Sequence, residues 1–406
     1  MLPIAISHCQ DYEKDHLRQS LAEVIAATGG FDFVKPGMTV ALKTNLVAGA
    51  APDKAVVTHP ALLAVLTEML VERGASVVIG DSPGGPFSEG LLKKVYKVSG
   101  LAEAEAAGAR LNDNFSQEDH AFPQGLIMKQ VTCTSWLREA DAIIGVCKLK
   151  THGMMRLSAN VKNFFGTIPG TMKLEYHYRF PKHEDFANML IDINEFLKPS
   201  LYITDAVVGM EGNGPTAGTP RPIGAVLASR DPYAMDILCA HVIGLEPMDV
   251  PTIAAAARRG LGPYPSKAAA EADRKAGRGP QSGDDAGTLP RLFEESSVIG
   301  EWQSLVISDY QNITTPDAIT FSNRIPGFLV PLAKKLLQAR PGVRASECIG
   351  CARCHDICPA KAITMENKLP VIDRSLCIRC FCCQEFCPKG AMKVKRTALA
   401  RLLNRL

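Results

Sequence analysis

The sequence predicts a chain in two parts: an α/β domain with a mostly parallel sheet covered by helices, followed by a small α+β domain at the C-terminus. Apolar strands alternate with amphipathic helices over residues 1–260, which is typical of a parallel sheet with both faces covered. Nine of the 13 cysteines lie between Cys348 and Cys387 and mark the second part. Apolar residues make up 46% of the 406 residues and charged residues 21%, so a largely disordered chain is excluded.

The first strand–helix–strand unit is the easiest to recognise. Residues 39–44 form a short apolar strand. Thr58 is expected to cap the helix that follows, because Pro60 suits its first turn and Gly74 suits its end. Residues 76–79 are predicted as the next strand. The alternation then continues with strands at 142–146, 201–204 and 224–228 and helices at 184–197 and 233–244.

Residues 261–300 differ in composition from the rest of the α/β domain. They are rich in Gly, Pro, Ser, Ala, Lys and Asp, which predicts a mobile insertion or an irregular surface excursion. Residues 304–308 are expected to return as a strand and 328–339 as a helix. The predicted divisions are residues 1–340, residues 341–396 and a basic amphipathic tail at 397–406, which is expected to pack back on the protein.

The cysteines of the second part repeat one spacing. Each run reads C-x2-C-x2-C-x3-C-P, and the second begins 29 residues after the first: Cys348, Cys351, Cys354 and Cys358, then Cys377, Cys380, Cys383 and Cys387. Three cysteines spaced in this way on a tight loop can wrap a cubane, and the proline after the fourth stops the local helix. The repeat therefore predicts two [4Fe–4S] clusters.

The repeat resembles the two-cluster, bacterial-type ferredoxin module, over residues 341–396. The resemblance implies that the first three cysteines of each run hold one cluster and the fourth holds the other. One cluster would then be held by Cys348, Cys351, Cys354 and Cys387, and the other by Cys377, Cys380, Cys383 and Cys358. A hairpin of strands at 362–364 and 369–372 is expected between the runs, with a further strand at 391–394.

Zinc is the alternative occupant, because paired C-x2-C units also bind zinc. A third cysteine two residues on, a fourth before proline and the doubling of the motif all favour clusters over zinc. Cys382 is interpreted as a bystander next to the ligand Cys383, and Cys9, Cys133, Cys147 and Cys239 as core residues.

Charge and composition restrict the partners and the compartment. Residues 341–406 carry 12 Lys/Arg and 5 Asp/Glu, a net charge of +7 within a chain of +3. We expect this excess to offset cluster charge rather than to bind nucleic acid. No signal peptide and no transmembrane segment is predicted, so a soluble, cytoplasmic protein with reduced thiols is expected.

A polar segment follows the predicted strand at 142–146 and leads into a predicted helix. It reads K-x-K-T-H and then V-K-N-x-F-G-x-I-P-G, with Lys173 and His177 beyond it. Together with Leu42-Lys-Thr-Asn-Leu46 and Thr58-His-Pro60, this segment resembles the DUF362 family of uncharacterised iron–sulfur-associated proteins, over residues 35–245. Many members of that family carry a C-terminal two-cluster ferredoxin module, so the resemblance implies the same architecture here.

Polar side chains also follow four predicted strands. An open parallel sheet brings such residues to one crevice at the C-terminal ends of its strands, and their Lys and His content suits a carboxylate, phosphate or enolate. The predicted catalytic residues, which would bind the anion or supply protons, are Lys150, His152 and Lys162. The predicted substrate- or cofactor-binding residues are Lys43, Asn45, Asp81, Lys148, Asn160, Asn163 and Asp205.

Each of these residues also has a structural interpretation, because lysines solvate strand ends and aspartates cap turns and helix starts. The first hypothesis is an oxidoreductase in which two clusters relay single electrons from a redox partner protein to a small anionic molecule. A carrier or docking protein without chemistry of its own is the second, and a metabolite- or metal-binding module the third. No G-x-G-x-x-G, P-loop or H-E-x-x-H motif occurs, and a flavin or another organic cofactor is left open without a motif in its support.

Overall fold

The computed structural model describes residues 3–263, 298–313 and 340–395. Most of the predicted insertion lies outside these residues, as do the predicted helix at 328–339 and the predicted tail at 397–406. No helix among the described residues is long and apolar enough to cross a membrane.

A mixed, mostly parallel sheet forms the centre of the α/β domain. The strands of this domain are β1 (Ile4–His8), β2 (Thr39–Lys43), β3 (Ser76–Gly80), β4 (Ala109–Leu111), β5 (Gln117–Ala121), β6 (Gln130–Thr134), β7 (Ala142–His152), β8 (Arg156–Ser158), β9 (Leu201–Glu211), β10 (Thr219–Ser229) and β11 (Val298–Ile299). The order in the sheet is β11-β1-β10-β9-β7-β2-β3-β4, with β8 paired to β7, while β5 and β6 form a separate hairpin. Within the described residues, β10 runs antiparallel to β1 and β9, and β8 antiparallel to β7; the other pairings of the sheet are parallel.

Helices cover both faces of this sheet, as predicted. They are α1 (Lys14–Ala27), α2 (Pro60–Val71), α3 (Glu89–Val98), α4 (Ala102–Ala106), α5 (Ser135–Glu139), α6 (Asn160–Asn163), α7 (Met172–Arg179), α8 (His183–Leu197), α9 (Pro232–Val242) and α10 (Pro251–Arg259). Helices α1 to α4 share one core with the inward residues of one sheet face, and α5 to α10 share the other. Successive side chains of β7 point to opposite faces of the sheet. Ile144 and Val146 belong to the core shared with α1 to α4, and Ile143 and Cys147 belong to the core shared with α5 to α10.

Three local expectations are corrected. The N-cap of α2 is His59, whose Nδ1 accepts from the Ala61 N–H at 3.3 Å, because Thr58 instead accepts from the Asn45 N–H and donates to the Val146 carbonyl. Residues 304–308 form no strand: Gln303–Leu305 is a 3-10 turn, and the Ile307 N–H bonds the end of α9 at Val242 rather than a sheet edge. The strands predicted at 142–146 and 201–204 are longer than expected: β7 and β9 each have 11 residues and include the polar residues 147–152 and 205–211.

The C-terminal module is built from short elements around the two cysteine runs. They are β12 (Arg340–Val343), α11 (Arg353–Asp356), β13 (Ile363–Glu366), β14 (Leu369–Ile372), α12 (Cys382–Glu385) and β15 (Met392–Lys395). The expected hairpin between the runs is β13–β14, and β15 pairs with β12. Each cysteine run therefore spans one short helix.

Candidate functional site between the α/β domain and the cysteine module

Strand β7 carries three of the predicted site residues because it extends beyond the end of its neighbour β2. Lys43, the last residue of β2, lies level with Gly145, so β7 continues for seven residues past that pairing. An irregularity between Lys148 and Lys150 then shifts the register with β9. All residues of β7 are buried, which places Lys148, Lys150 and His152 inside the protein rather than at a solvated strand end.

Lys43 and Asp81 form a buried ion pair at the ends of β2 and β3. The Lys43 Nζ lies 2.9 Å from Asp81 Oδ1, and it also donates to the Asn163 carbonyl at 2.9 Å and to Asn163 Oδ1 at 3.1 Å. Asp81 Oδ2 accepts from the Leu46 N–H at 2.8 Å. Gly166 makes the pair sterically feasible, because a Cβ there would lie 2.1 Å from Asp81 Oδ1.

Lys150 is buried, and no carboxylate among the described residues forms an ion pair with it. Its Nζ donates to Asn45 Oδ1 at 2.6 Å and to the Val56 carbonyl at 2.7 Å. Burial, followed by the nearby charge of Lys162, lowers the pKa of Lys150 to about 7. Asn45 in turn donates to Asn163 Oδ1 at 3.1 Å, so hydrogen bonds connect Lys150 with the Lys43–Asp81 pair.

Two groups of predicted site residues have structural partners instead. Lys148 pairs with Asp205 at 2.6 Å, and Tyr12 hydrogen-bonds both of them, so this network is satisfied internally. The Asn160 backbone N–H and Nδ2 donate to Asp236 Oδ1 at the start of α6. The structure therefore brings Lys43, Asn45, Asp81, Lys150 and Asn163 together, and it does not bring Lys148, Asp205 or Asn160 into the same group.

His152 faces the cysteine module. Its Nδ1 accepts from the backbone N–H groups of Met154 and Met155, both at 3.1 Å, so the neutral ring carries its proton on Nε2. Nε2 has no hydrogen-bond partner among the described residues and lies 3.8 Å from Glu385 Oε2. Burial, and after it the charge of Lys162, lowers the pKa of His152 to about 4.

A cleft of about 570 Å³, counting the solvent at its mouth, opens beside these residues. The half-buried Lys162 contributes its ammonium, which has no hydrogen-bond or ion-pair partner among the described residues. His177 stacks on Phe186 at 4.6 Å, and its buried Nδ1 has no hydrogen-bond partner in the described part of the chain. The cleft is lined by Asn45, Val47, Asp81, Ser82, Gly84, Ser158, Lys162, Asn163, Phe165, Gly166, Lys173, Leu174, His177, Pro215, Glu385 and Phe386.

Lys173 forms a second cationic wall of the cleft. Its Nζ donates to Ser82 Oγ at 3.0 Å and to the Ile168 carbonyl at 2.5 Å. Burial lowers the pKa of Lys173 to about 7, and the charge of Asp81 only partly opposes this shift. The lysine is therefore poised between its two protonation states near neutral pH.

Glu385 and Phe386 enter the cleft from the cysteine module. Burial disfavours a charged Glu385, but His152 and Lys162 outweigh burial and hold the pKa of this carboxyl below its ordinary value. Phe386 packs so closely on Gly84 that a Cβ on this glycine would lie 1.7 Å from the ring. The cleft is thus a joint feature of both parts of the chain.

Direct hydrogen bonds fasten α12 of the module to the α/β domain. Gln384 Nε2 donates to the carbonyls of Asn213 and Gly214 at 2.8 and 3.0 Å. Thr216 Oγ1 donates to the Glu385 carbonyl at 2.9 Å. A Cβ on Gly153 would lie 3.1 Å from Gln384 Oε1, so the turn after β7 also lies against the module.

Four cysteines from the two runs line one hollow in the module, of about 360 Å³ when the solvent at its mouth is counted. They are Cys348, Cys351, Cys354 and Cys387, among mostly apolar side chains. Burial, and after it the nearby thiols of Cys380, Cys377 and Cys358, raises the pKa of Cys383 well above its ordinary value. Backbone N–H groups donate to Cys358 Sγ at 3.3 Å and to Cys387 Sγ at 3.2 Å. Thiols gathered across both runs, with N–H groups aimed at sulfur, fit the ligands and surroundings of an iron–sulfur cluster.

Comparisons with known families agree with both parts of this description. Residues 340–388 match the model of the 4Fe-4S dicluster domain, and residues 40–241 match the model of DUF362, a domain of unknown function. The chain belongs to the DUF362 family. It is an iron–sulfur protein with a C-terminal 4Fe-4S domain, as the resemblance implied.

One relative of this DUF362 protein is the thylakoid-associated protein sll1697 of Synechocystis sp. The two are 32% identical over 267 residues, which is 64% of this chain and 80% of the relative. Among solved structures, lactate racemase apoprotein from Thermoanaerobacterium thermosaccharolyticum is 14% identical, with a TM-score of 0.39, over 59% of this chain and 56% of that one. A Thermotoga maritima protein is also 14% identical, with a TM-score of 0.34, over 53% of this chain and 56% of its own. The DUF362 protein therefore spans just over half the length of these solved structures.

Several residues of the cleft were not assigned a role from the sequence. Lys173 and His177 were part of the family pattern only, and Ser82 lay in a glycine-rich stretch that predicts a turn. Glu385 lies between two predicted cluster ligands, so its sequence position indicates a side chain near solvent or a cluster rather than in a cleft whose other walls come from residues 45–215. Only the packing of the module on the α/β domain shows that Glu385 lines the cleft.

Proposed function

We propose that this DUF362 protein is an oxidoreductase that moves single electrons through two [4Fe–4S] clusters to a small anionic molecule held in the cleft. The observation that carries the proposal is the joint cleft: the unpartnered Lys162 lies in one wall, and Glu385 and Phe386, which lie between predicted cluster ligands, form another. When bound, the clusters would supply the electrons, one at a time.

Charge supports an anionic ligand. The cleft contains Lys162 and Lys173, whereas its carboxylates are Glu385 and Asp81, and Asp81 is already paired with Lys43. An ammonium that is partly removed from water without a partner is costly, and an anion with hydrogen-bonding oxygens would offset that cost. The buried Nδ1 of His177 is a further unused polar atom at the same place.

The lysines also suit proton supply. A group with a pKa near the working pH can both hold and release a proton, and the pKa values of Lys150 and Lys173 are about 7. Lys173 lines the cleft directly, while Lys150 reaches it through Asn45. In this proposal Lys162 binds the anion, and Lys173 and Lys150 supply protons as the anion is reduced.

The proposed cluster ligands keep the interleaved assignment. Cys348, Cys351, Cys354 and Cys387 would hold one cluster, which is supported by their common hollow. Cys377, Cys380, Cys383 and Cys358 would hold the other, which is supported by the mutual influence of their thiols. Cys380 and Cys383 are buried whereas Cys351 is exposed, so the second cluster would be the one nearer to the cleft.

We further propose a reducing compartment such as the cytoplasm. The eight cysteines spaced as cluster ligands support this location, because cluster ligation requires reduced thiols rather than disulfides. The relative from Synechocystis is named as thylakoid-associated, so attachment to a membrane surface through other proteins is compatible with the proposal.

Anaerobic single-turnover kinetics test the proposed function. Pre-reduced protein is mixed with a panel of small carboxylates, phosphates and enolisable acids, and cluster reoxidation is followed by visible absorbance. We expect one class of anion to reoxidise the wild type rapidly and K162M at least tenfold more slowly, since a charge-assisted hydrogen bond contributes about 1.5–3 kcal/mol. K94M, which removes an exposed lysine of α3, is the matched control and should behave as wild type. Equal rates in K162M and wild type would contradict the proposal and favour a carrier without chemistry of its own.

A further inference from the structure

The two cysteine runs face opposite surroundings. The second run lies against the α/β domain, with Phe381, Cys382 and Cys383 all buried. The first run faces outward: Cys351 is exposed, and Ile349 has 59% of its surface accessible. The module therefore has a closed side at the cleft and an open side at the first run.

The open side has an apolar centre and a basic rim. The hollow lined by Cys348, Cys351, Cys354 and Cys387 is also lined by Ile349, Pro388, Arg353 and Lys389, and no acidic side chain of the described residues lines it. Lys368 lies beside it, since a Cβ on Gly350 would be 2.9 Å from the Lys368 Cβ. Arg353, Lys368 and Lys389 are exposed, and none has an ion-pair partner among the described residues.

Two acidic residues adjoin the lining of this hollow in the sequence: Glu347, and the exposed Glu366 next to Met365. Glu347, next to Cys348, pairs with Arg344 at 2.5 Å and with Lys393 at 3.2 Å. Around the exposed Ile349 and Cys351, three cations without an ion-pair partner in the described part of the chain outnumber the one carboxylate of Glu366, so the open side is net basic. An apolar centre with a charged rim is the usual composition of a protein docking surface, and unpaired rim charges mainly accelerate encounter with a partner of opposite charge.

We propose that the face around Cys351, with Ile349 at its centre and Arg353, Lys368 and Lys389 at its rim, is the docking site for a small acidic electron-carrier protein. The inference rests on the proposed function, because it takes electron transfer through the module as given. Each encounter transfers one electron: the carrier is oxidised and the module is reduced, and no bond is made or broken. The basic rim steers the carrier so that its redox centre faces the first cysteine run.

The test uses the full-length, cluster-loaded protein and an acidic plant-type [2Fe–2S] ferredoxin as the probe. Two quantities are measured at several NaCl concentrations: equilibrium binding of the oxidised ferredoxin by calorimetry, and the second-order rate at which the reduced ferredoxin reduces the protein. We expect both to fall as salt rises, because electrostatic steering is screened. In R353E/K368E the low-salt rate should fall at least tenfold, and in K368E alone about threefold.

Matched controls make the result specific. K94E/K97E changes the net charge by the same amount on an exposed face of α3 and should leave binding and rate within about twofold of wild type. R353E/K368E that has been reduced chemically should still reduce the anion at the wild-type rate, which separates failure of the docking site from failure of the cleft. Iron and sulfide content is measured for every variant, because Arg353 adjoins a proposed ligand.

Three outcomes would overturn the docking site. The first is a rate that does not depend on salt, and the second is an equal loss in R353E/K368E and K94E/K97E. The third is R353E/K368E that ferredoxin reduces at the wild-type rate but that no longer binds phosphatidylglycerol-rich vesicles in a co-sedimentation assay. The last result would assign the basic rim to a membrane surface instead.

Discussion

Replacing Asp81 by asparagine removes one partner of the most enclosed ion pair in the cleft. Lys43 is fully buried and lies 2.9 Å from Asp81 Oδ1, while Asp81 Oδ2 accepts from the Leu46 N–H at 2.8 Å. In D81N, one amide oxygen must serve two donors, so either the ammonium or the backbone N–H loses its acceptor. Removing one partner of a buried pair costs about 3–5 kcal/mol, and D81N should destabilise the α/β domain by about this amount.

The size of this effect should depend on pH. Burial already lowers the pKa of Lys43, and the Asp81 charge is the main force that opposes the shift. Without that charge, folded D81N binds fewer protons at Lys43 than the unfolded chain, so its stability should rise as pH rises through neutral and alkaline values. The loss relative to wild type should therefore be larger at pH 6 than at pH 9.

Denaturant unfolding under anaerobic conditions measures this loss. Trp136 packs on Gly80, next to Asp81, since a Cβ on this glycine would lie 2.9 Å from its ring, and its fluorescence reports the region. E89Q, which breaks an exposed pair with Lys93, is the matched control and should leave the unfolding midpoint unchanged. A loss below about 1 kcal/mol in D81N, or a loss independent of pH, would refute the assignment of a charged, enclosed pair.

Three further predictions concern single residues. C383A should lose about half of the roughly eight irons expected from two cubanes, whereas C382A should retain all of them; equal losses by iron and sulfide analysis would contradict the ligand assignment. In wild type, affinity for oxalate should fall as pH rises through about 7, because Lys173 then loses its charge, and K173M should flatten this dependence in calorimetric titrations. G166A should place a methyl group 2.1 Å from Asp81 Oδ1 and so destabilise the α/β domain as D81N does, while an unchanged midpoint of denaturant unfolding would contradict this.

The sequence predicted those parts of the fold and site that depend on local or periodic patterns of residues. Continuous apolar strands predicted the parallel sheet, and the ends of β2 and β3 placed Lys43 and Asp81 at one edge, where they form a pair. The same argument could not separate Lys148 from Lys150. Lys148 is held by Tyr12 and Asp205, and Tyr12 comes from the segment before α1, which has no motif that announces the contact.

Contacts between distant segments explain the other differences. Asn160 was predicted to lie in the same site as Lys162 and Asn163, yet its side chain hydrogen-bonds Asp236 of α9. Glu385 enters the cleft because α12 packs on the α/β domain, where Gln384 donates to the carbonyls of Asn213 and Gly214. Neither the hydrophobic periodicity nor the cysteine spacing predicts how the module packs on the α/β domain.

The most direct test of the central claim is to measure how many electrons the protein transfers to the compound that its cleft retains. Protein purified anaerobically is denatured, the released small molecules are identified by mass spectrometry, and the compound is returned to fully reduced protein. We predict an anion that wild type retains and K162M does not, and that takes up two electron equivalents per chain as both clusters are reoxidised. A compound that binds at Lys162 while the clusters stay reduced would contradict the claim, since the cleft would then be a binding site without an electron path.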